Sequence, residues 1–159
     1  MEDQNDTLRN KNTLITGCNK GIGLKIMQKF ASQGSNIIAC CRKKDENFIK
    51  ICNELKSKYK LKIDIFCFDL SEKDQIKESF EKIKKEFNQI DILVNNAASI
   101  DTSNFMMTSI TNSKKLFDIN YFSQIYLIQL VSKMMISKKK GNIVNIVARN
   151  KYLLAEWIN

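Results

Sequence analysis

The chain has 159 residues, of which 43% are hydrophobic and 27% are charged, a balance typical of one globular domain. Its 26 Lys and Arg residues against 17 Asp and Glu give a formal charge of +9, which favours anionic ligands such as phosphates, nucleotides or nucleic acid. Because the sequence contains no His, imidazole metal sites and Ser-His-Asp triads are excluded, and any acid-base chemistry must use Tyr, Lys, Asp, Glu or Cys.

The cysteines show no C-x-x-C spacing, and we interpret them as reduced thiols that lie mostly in the core. They are Cys18, Cys40, Cys41, Cys52 and Cys67. The first six residues are polar and acidic, and no run of about 18 apolar residues occurs. We therefore expect a soluble, cytoplasmic protein without a metal site.

The first predicted strand, residues 13–16, leads into a helix through a turn that holds three of the five glycines: Gly17, Gly21 and Gly23. Apolar residues at four-residue steps predict one face of that helix: Ile22, Ile26 and Phe30. Gly34 ends the helix, and an apolar strand follows at residues 36–41. A glycine turn between strand and helix favours a phosphate or nucleotide site, with an ordinary turn as the alternative.

Strand and helix patterns then alternate to the end of the chain. Further strands are predicted at residues 63–68, 91–94 and 143–147, and further helices at residues 45–59, from Ser71 to Phe87, and at residues 113–138. Ser71 is the predicted N-cap of its helix, and residues 95–112 form the longest predicted loop. This alternation predicts an α/β fold with a parallel sheet covered by helices on both faces.

Five short motifs, in order along the chain, together resemble one family. Residues 16–23, Thr-Gly-Cys-Asn-Lys-Gly-Ile-Gly, resemble the T-G-x-x-x-G-I-G signature of the short-chain dehydrogenase/reductase family. The others resemble the family's adenine-contacting Asp, its N-N-A-G motif, its catalytic Asn and the lead-in to its fifth strand; they are Asp69-Leu70, residues 95–98, Asn120 and residues 141–146. Within the family, the chain is most similar to the 3-oxoacyl-acyl-carrier-protein reductases. The resemblance implies a Rossmann-type doubly wound parallel sheet.

The resemblance also implies which residues bind the dinucleotide cofactor. They are Thr16, Gly17, Asn19, Lys20, Gly21, Ile22, Gly23, Arg42, Asp69, Leu70, Asn96, Ala97 and Ala98. An acidic residue about 20 positions after the glycines would bind a ribose 2′-hydroxyl, whereas a cation there accommodates a 2′-phosphate. Arg42 stands at that position and Lys20 precedes the second glycine, so we expect NADP(H) in preference to NAD(H).

For catalysis, the resemblance implies hydride delivery from NADPH to a carbonyl, a Tyr that donates a proton, a Lys four residues later, a Ser that orients the substrate and an Asn that holds a water relay. Asn120 matches the Asn, but the Ser position is Ala148. Tyr152 is followed four residues later by Glu156, whose charge disfavours a tyrosinate. The Tyr-x-x-x-Lys segment would fall past Asn159, so we expect the family fold to be truncated after about the fifth strand.

We therefore expect residues 1–159 to form a single, incomplete dinucleotide-binding domain, with residues 149–159 as an aberrant tail, an exposed fifth strand and little or no turnover. Three hypotheses stay open: an NADP(H)-dependent reductase of a small carbonyl substrate such as a 3-oxoacyl group, a nonenzymatic NADP-binding fragment, and a basic nucleic-acid-binding module. Lysines spread over several helices argue against the third. The family resemblance implies a homo-oligomer built through the long helix, and no membrane partner is expected.

Overall fold

The computed structural model describes residues 7–101 and 105–147, in which five parallel strands form one sheet. The strands are β1 (Asn12–Thr16), β2 (Asn36–Cys41), β3 (Ile63–Cys67), β4 (Ile92–Asn95) and β5 (Asn142–Asn145). The helices are α1 (Gly21–Ser32), α2 (Glu46–Tyr59), α3 (Lys73–Glu86), α4 (Ile110–Phe117) and α5 (Ser123–Ser137). The predicted alternation and the α/β fold are confirmed.

The strand order is β3-β2-β1-β4-β5, so the chain starts in the middle of the sheet, builds outward on one side and then crosses to the other. The order in which successive strands are added to the sheet reverses between β1 and β4. These two strands pair in parallel, from Thr13 opposite Ile92 to Ile15 opposite Val94. In doubly wound sheets, ligands bind outside the carboxyl ends of the strands at such a switch point. The topology therefore predicts where a site lies before any side chain is considered.

Two apolar layers hold the helices against the sheet. One layer joins the sheet to α3 and α5 and includes Leu14, Ile76, Phe80, Leu93 and Val131. The other joins it to α1 and α2 and includes Ile15, Met27, Ile37, Phe48 and Val94. Central strands that carry apolar residues on both faces are thus covered on both sides, as their near-continuous hydrophobic runs predict.

The buried face of α1 differs from the predicted one. Gly23, Met27 and Ala31 are buried, whereas Ile22 is 64% exposed because it lies at the start of the helix beside an open groove. Ile26 and Phe30 are partly buried and pack against the same apolar layer. The four-residue period was correct, but the stripe that enters the core is one position further along the helix.

The start of α3 also differs from the prediction. Ser71 does not cap the helix; its backbone N–H and its hydroxyl donate to Oδ1 of Asp69, at 2.9 and 2.8 Å. The helix begins two residues later at Lys73, and the N-cap Glu72 makes no side-chain capping bond. Ser71 thus hydrogen-bonds to the carboxylate of Asp69 instead of capping the helix, as the sequence pattern had predicted.

Residues 113–138, predicted as one long helix, are helical almost throughout, but the helix begins earlier and is interrupted. It begins at Ile110, because the Ser109 hydroxyl accepts the N–H of Asn112 at 3.1 Å. A π-helical turn, Asp118–Phe122, then separates α4 from α5. At its end the Ser123 hydroxyl donates to the Asp118 carbonyl at 2.6 Å. Such turns widen a helix locally and are frequent at functional sites.

Strand β5 lies at one edge of the sheet, and all four of its residues are exposed. In the part of the chain that the structure describes it pairs with β4 alone, in register from Ile92 opposite Asn142 to Asn95 opposite Asn145. The exposed fifth strand is thus observed as expected. No helix within the described residues has the length and apolar character needed to cross a membrane.

Leu93, a fully buried residue of β4, is expected to contribute strongly to stability. We expect Leu93→Ala to lower the free energy of unfolding by about 3 kcal/mol, because it removes buried surface and leaves a cavity. Ile136→Ala is the matched control, since Ile136 is 73% exposed, and it should cost less than about 0.5 kcal/mol. Urea unfolding monitored by circular dichroism measures both; equal losses would contradict this account of the core.

Candidate functional site

A groove of about 580 Å³ opens at the carboxyl ends of the strands, at the topological switch point. Every residue predicted from the sequence to bind a cofactor lines it: Thr16, Gly17, Asn19, Lys20, Gly21, Ile22, Gly23, Arg42, Asp69, Leu70, Asn96, Ala97 and Ala98. These residues come from the ends of β1, β2, β3 and β4 and from the first turn of α1. The structure therefore brings together, in one groove, residues that are up to about 80 positions apart in the sequence.

The glycine turn depends on its glycines for two different reasons. Gly17 and Gly21 have φ values of +66° and +56°, in the left-handed region that glycine adopts without strain. Gly23 is needed for space, because a Cβ there would lie 2.3 Å from the carbonyl oxygen of Gly17 and 2.4 Å from Nδ2 of Asn96. A Cβ at Gly21 would meet nothing within 4 Å. The backbone of this turn is consequently accessible from the groove.

Four hydrogen bonds join the end of β1 to the loop after β4. The hydroxyl oxygen of Thr16 accepts the backbone N–H groups of Asn96 and Ala97, each at 3.0 Å. The side-chain amide of Asn96 donates back to the carbonyls of Thr16 and Gly17, at 3.0 and 3.1 Å. Thr16 is 2% exposed, and Gly17, Asn96 and Ala97 are half-buried. This bridge, from Thr16 and Gly17 to Asn96 and Ala97, fixes two walls of the groove relative to each other.

The first turn of α1 is suited to an anion. Its N-cap, Lys20, makes no side-chain capping bond, and no acidic residue lies in the first turn. The first N–H groups of the helix form the positive end of its dipole, and no side chain of the helix start accepts from them. Lys20 itself is exposed at the groove and adds a full positive charge. Backbone donors, a helix terminus and a lysine together form a phosphate-binding arrangement.

At the β2 and β3 end of the groove, Arg42 and Asp69 face each other across the strand ends. The pKa of Asp69 lies below its usual range, chiefly because its carboxylate accepts the backbone N–H of Ser71, with further lowering by the Ser71 hydroxyl and the charge of Arg42. Partial burial opposes this effect. Asp69 is therefore an ionised hydrogen-bond acceptor at neutral pH, beside an exposed guanidinium.

Asn120 lies in the π-helical turn, and its side chain is already bound. Its Oδ1 accepts the backbone N–H of Ser99 at 2.8 Å, and its Nδ2 donates to the Ser99 carbonyl at 2.7 Å. The amide thus pairs with one residue of the loop after β4, as a peptide group would in a sheet. The catalytic role expected for Asn120 stays a prediction, and the geometry shows what holds its side chain in place.

Two residues that the sequence reasoning missed hold the groove from the same helix. The Ser123 hydroxyl, whose one hydrogen is shared between two acceptors, lies within hydrogen-bond distance of the Leu70 carbonyl as well as the Asp118 carbonyl, and Nε2 of Gln124 donates to the Ala97 carbonyl at 3.0 Å. Their positions three and four residues after Asn120 place them on one helix face, which was the available signal. Other groove residues that were not assigned are Cys40, Cys41, Lys43, Phe68, Ser99, Ile100 and Ile119. The predictions for Ala148 and residues 149–159 lie outside the described residues.

The sequence comparison decides the family. Residues 11–152 match the short chain dehydrogenase family. The chain belongs to this family. The chain is 32% identical over 139 residues to the 3-oxoacyl-[acyl-carrier-protein] reductase of Aquifex aeolicus, an alignment that covers 87% of this chain and 56% of that protein. It is also 32% identical over 146 residues to galactitol 2-dehydrogenase of Agrobacterium fabrum, covering 89% of this chain and 54% of that protein.

Solved structures show the same fold. L-sorbose reductase from Gluconobacter frateurii matches with a TM-score of 0.81 at 23% identity, covering 89% of this chain and 53% of that one. An alcohol dehydrogenase from Comamonas testosteroni, specific for bulky-bulky ketones, matches with a TM-score of 0.76 at 27% identity, covering 87% and 55%. The chain therefore spans little more than half the length of the relatives it matches.

The contrast between two glycines of the turn provides a test of the groove's construction. We expect Gly23→Ala to lower the free energy of unfolding by about 2–3 kcal/mol, because the added Cβ displaces both Gly17 and Asn96. Gly21→Ala meets open space and should cost only about 1 kcal/mol, for its left-handed φ. Urea unfolding of both variants measures the difference. A Gly23→Ala variant as stable as Gly21→Ala would show that the bridge is not packed as described.

Proposed function

We propose that the groove binds NADP(H), and that the function of this short-chain dehydrogenase fold is the reduction of a small carbonyl substrate. The observation that carries the cofactor proposal is the charge at the end of β2, where Arg42 follows the strand directly and no carboxylate occupies that position. A guanidinium binds a ribose 2′-phosphate, whereas NAD-binding relatives of this architecture use an acid for the 2′-hydroxyl. Lys20, across the groove, adds a second cation.

Each of the chain's own groups has a distinct part in this binding. The uncapped N-terminus of α1 faces the pyrophosphate, and the exposed backbone at Gly21 lets the phosphates approach closely. The carboxylate of Asp69, held ionised by Ser71, accepts an N–H of the adenine. The bridge between Thr16 and Asn96 keeps the nicotinamide side of the groove at a fixed width. When bound, NADPH supplies a hydride to the carbonyl carbon.

The substrate proposal rests on sequence similarity. The reductase of Aquifex aeolicus named above acts on 3-oxoacyl groups carried by acyl carrier protein, and it matches this chain over most of the chain's length. We therefore propose 3-oxoacyl thioesters as the substrate class for the whole protein. For the 159 residues themselves we propose cofactor binding without turnover, since Ala148 stands at the position that matches the family's Ser, and Tyr152 cannot replace the family's Tyr because Glu156, not Lys, follows it four residues later.

Two measurements on the purified chain test this proposal. NADPH fluorescence titration should show saturable binding, and NADPH absorbance should stay constant when 3-oxoacyl thioesters are added. Absence of binding would overturn the cofactor proposal. Oxidation of NADPH that depends on the thioester would overturn the proposal that this chain lacks turnover and would support the reductase activity directly.

The cofactor preference is tested by removing one charge at the groove. We expect Arg42→Ala to weaken NADP⁺ binding by about 10-fold to 100-fold, because a charge-assisted hydrogen bond is lost, and to leave NAD⁺ binding within about 2-fold. Lys82→Ala is the matched control: it removes the same charge from an exposed position on α3, outside the groove. Isothermal titration calorimetry measures both cofactors on both variants. An equal loss in Lys82→Ala would indicate that only the net charge matters.

A further inference from the structure

The register of β2 and β3 brings two cysteines together beside the groove. Cys41 pairs with Cys67 at the last position of the β2–β3 ladder, and their sulfur atoms lie 3.8 Å apart. Neither is part of a disulfide in this structure. Residues that pair in register on parallel strands point to the same face of the sheet, so both thiols face the layer under α1 and α2. The sequence separates them by 26 positions, and only the fold makes them neighbours.

The two thiols differ in access. Cys67 is exposed, whereas Cys41, Cys18, Cys40 and Cys52 are buried, and all five cysteines lie within the described residues. Burial, together with the adjacent Cys67, raises the pKa of Cys41 to about 12, so Cys41 is a protonated thiol at neutral pH. The pair therefore consists of the exposed Cys67, which a reagent can reach from solvent, and the buried Cys41, whose sulfur lies 3.8 Å from that of Cys67.

The geometry is within reach of a covalent bond. Neighbouring strands lie about 4.8 Å apart, inside the range of about 4.4–6.8 Å between the Cα atoms of disulfide-bonded residues. Side-chain rotation must bring the sulfurs from 3.8 Å to a bond length of about 2.05 Å. Both residues are the last of their strands, so a small backbone adjustment there does not disturb the rest of the ladder. No group of three or more Cys, Asp or Glu in the described ranges is arranged to hold a metal ion.

We propose that Cys41 and Cys67 form a reversible thiol-oxidation site, at which a small-molecule disulfide of the glutathione type converts the two thiols into a cross-strand disulfide. In the first step the Cys67 thiolate attacks one sulfur of the reagent, which forms a mixed disulfide and releases one small thiol. In the second step Cys41 loses its proton and attacks Sγ of Cys67, which releases the second small thiol. The protein gives up two protons and two electrons, and the reagent takes up both as two thiols.

The cysteine pair lies beside the groove, and its proposed oxidation does not depend on whether the groove binds NADP(H). Cys41 lines the groove and precedes Arg42 directly, so oxidation joins the two strand ends beside the cation proposed for the 2′-phosphate. The other thiols face different partners: Cys18 donates to the Cys40 carbonyl at 3.5 Å, and Cys40 donates to the Ile38 carbonyl at 3.8 Å. Among the five cysteines, the exposed thiol is therefore paired with one specific buried thiol.

The test counts thiols in the full 159-residue chain. The reduced, folded protein is incubated with glutathione disulfide, unfolded, alkylated with N-ethylmaleimide and weighed by mass spectrometry. We expect two of the five thiols to become protected, and peptide mapping to join residues 41 and 67. A dithiol reductant should restore all five. Five reactive thiols, a stable glutathione adduct on Cys67, or a bond between another pair would overturn the proposal.

Two variants separate this pair from general thiol oxidation. Cys67→Ser should abolish the loss of two thiols, since it removes the exposed sulfur that attacks the small-molecule disulfide. Cys52→Ser is the matched control, because Cys52 is a buried thiol of α2 in the same apolar layer as Cys41, and this variant should still form the 41–67 bond. Circular dichroism verifies that both variants fold. Loss of the bond in Cys52→Ser, or its equivalent formation in Cys67→Ser, would contradict the assignment.

Discussion

The hydrogen bonds between the end of β1 and the loop after β4 are the interaction on which the groove depends. Two strands that are neighbours in the sheet end side by side, and four hydrogen bonds between Thr16 and Gly17 on one side and Asn96 and Ala97 on the other join them. The contact is close enough that Gly23 can have no side chain. Because Thr16 is buried and its partners are half-buried, removing one partner would leave others unsatisfied, which costs more than the loss of a single exposed hydrogen bond.

A second set of contacts extends this construction to the remaining walls. From one helical segment, Asn120, Ser123 and Gln124 each bind a backbone group of a different loop residue, namely Ser99, Leu70 and Ala97. The π-helical turn gives this segment its shape. These side chains add to the hydrogen bonds that the groove segments make with one another, such as those from the Gly17 N–H to the Cys40 carbonyl and from the Phe68 N–H to the Cys41 carbonyl.

Much of this arrangement could be predicted from sequence because it follows from local patterns. Apolar runs identified the strands, and the clustered glycines identified the turn that approaches the groove. Motif resemblance placed Asn96 and Asp69 at strand ends that topology then brought together. The bond between Ser71 and Asp69 was missed, since a serine before a helix usually acts as a cap and the competing carboxylate is two residues away.

Features that depend on register or on helix geometry were not predictable in this way. The neighbouring sulfurs of Cys41 and Cys67 follow from the alignment of β2 with β3, which no single strand pattern contains. The π-helical turn adds no distinctive residue to an otherwise amphipathic helix, so the sequence predicted one uninterrupted helix. The hydrogen bond from Gln124 to the Ala97 carbonyl likewise could not be predicted, because it depends on where the fold places the loop after β4.

One groove, built from the segments that follow β1, β2, β3 and β4, is proposed to receive a dinucleotide. Amide hydrogen exchange of the full chain, measured with and without NADP⁺, tests this proposal because it reports on each segment of the groove separately. NADP⁺ is expected to slow amide exchange together in the glycine turn from Gly17 to Gly23, around Asp69, and in the loop from Asn96 to Ser99. Protection confined to another surface, or no protection at saturating NADP⁺, would contradict it.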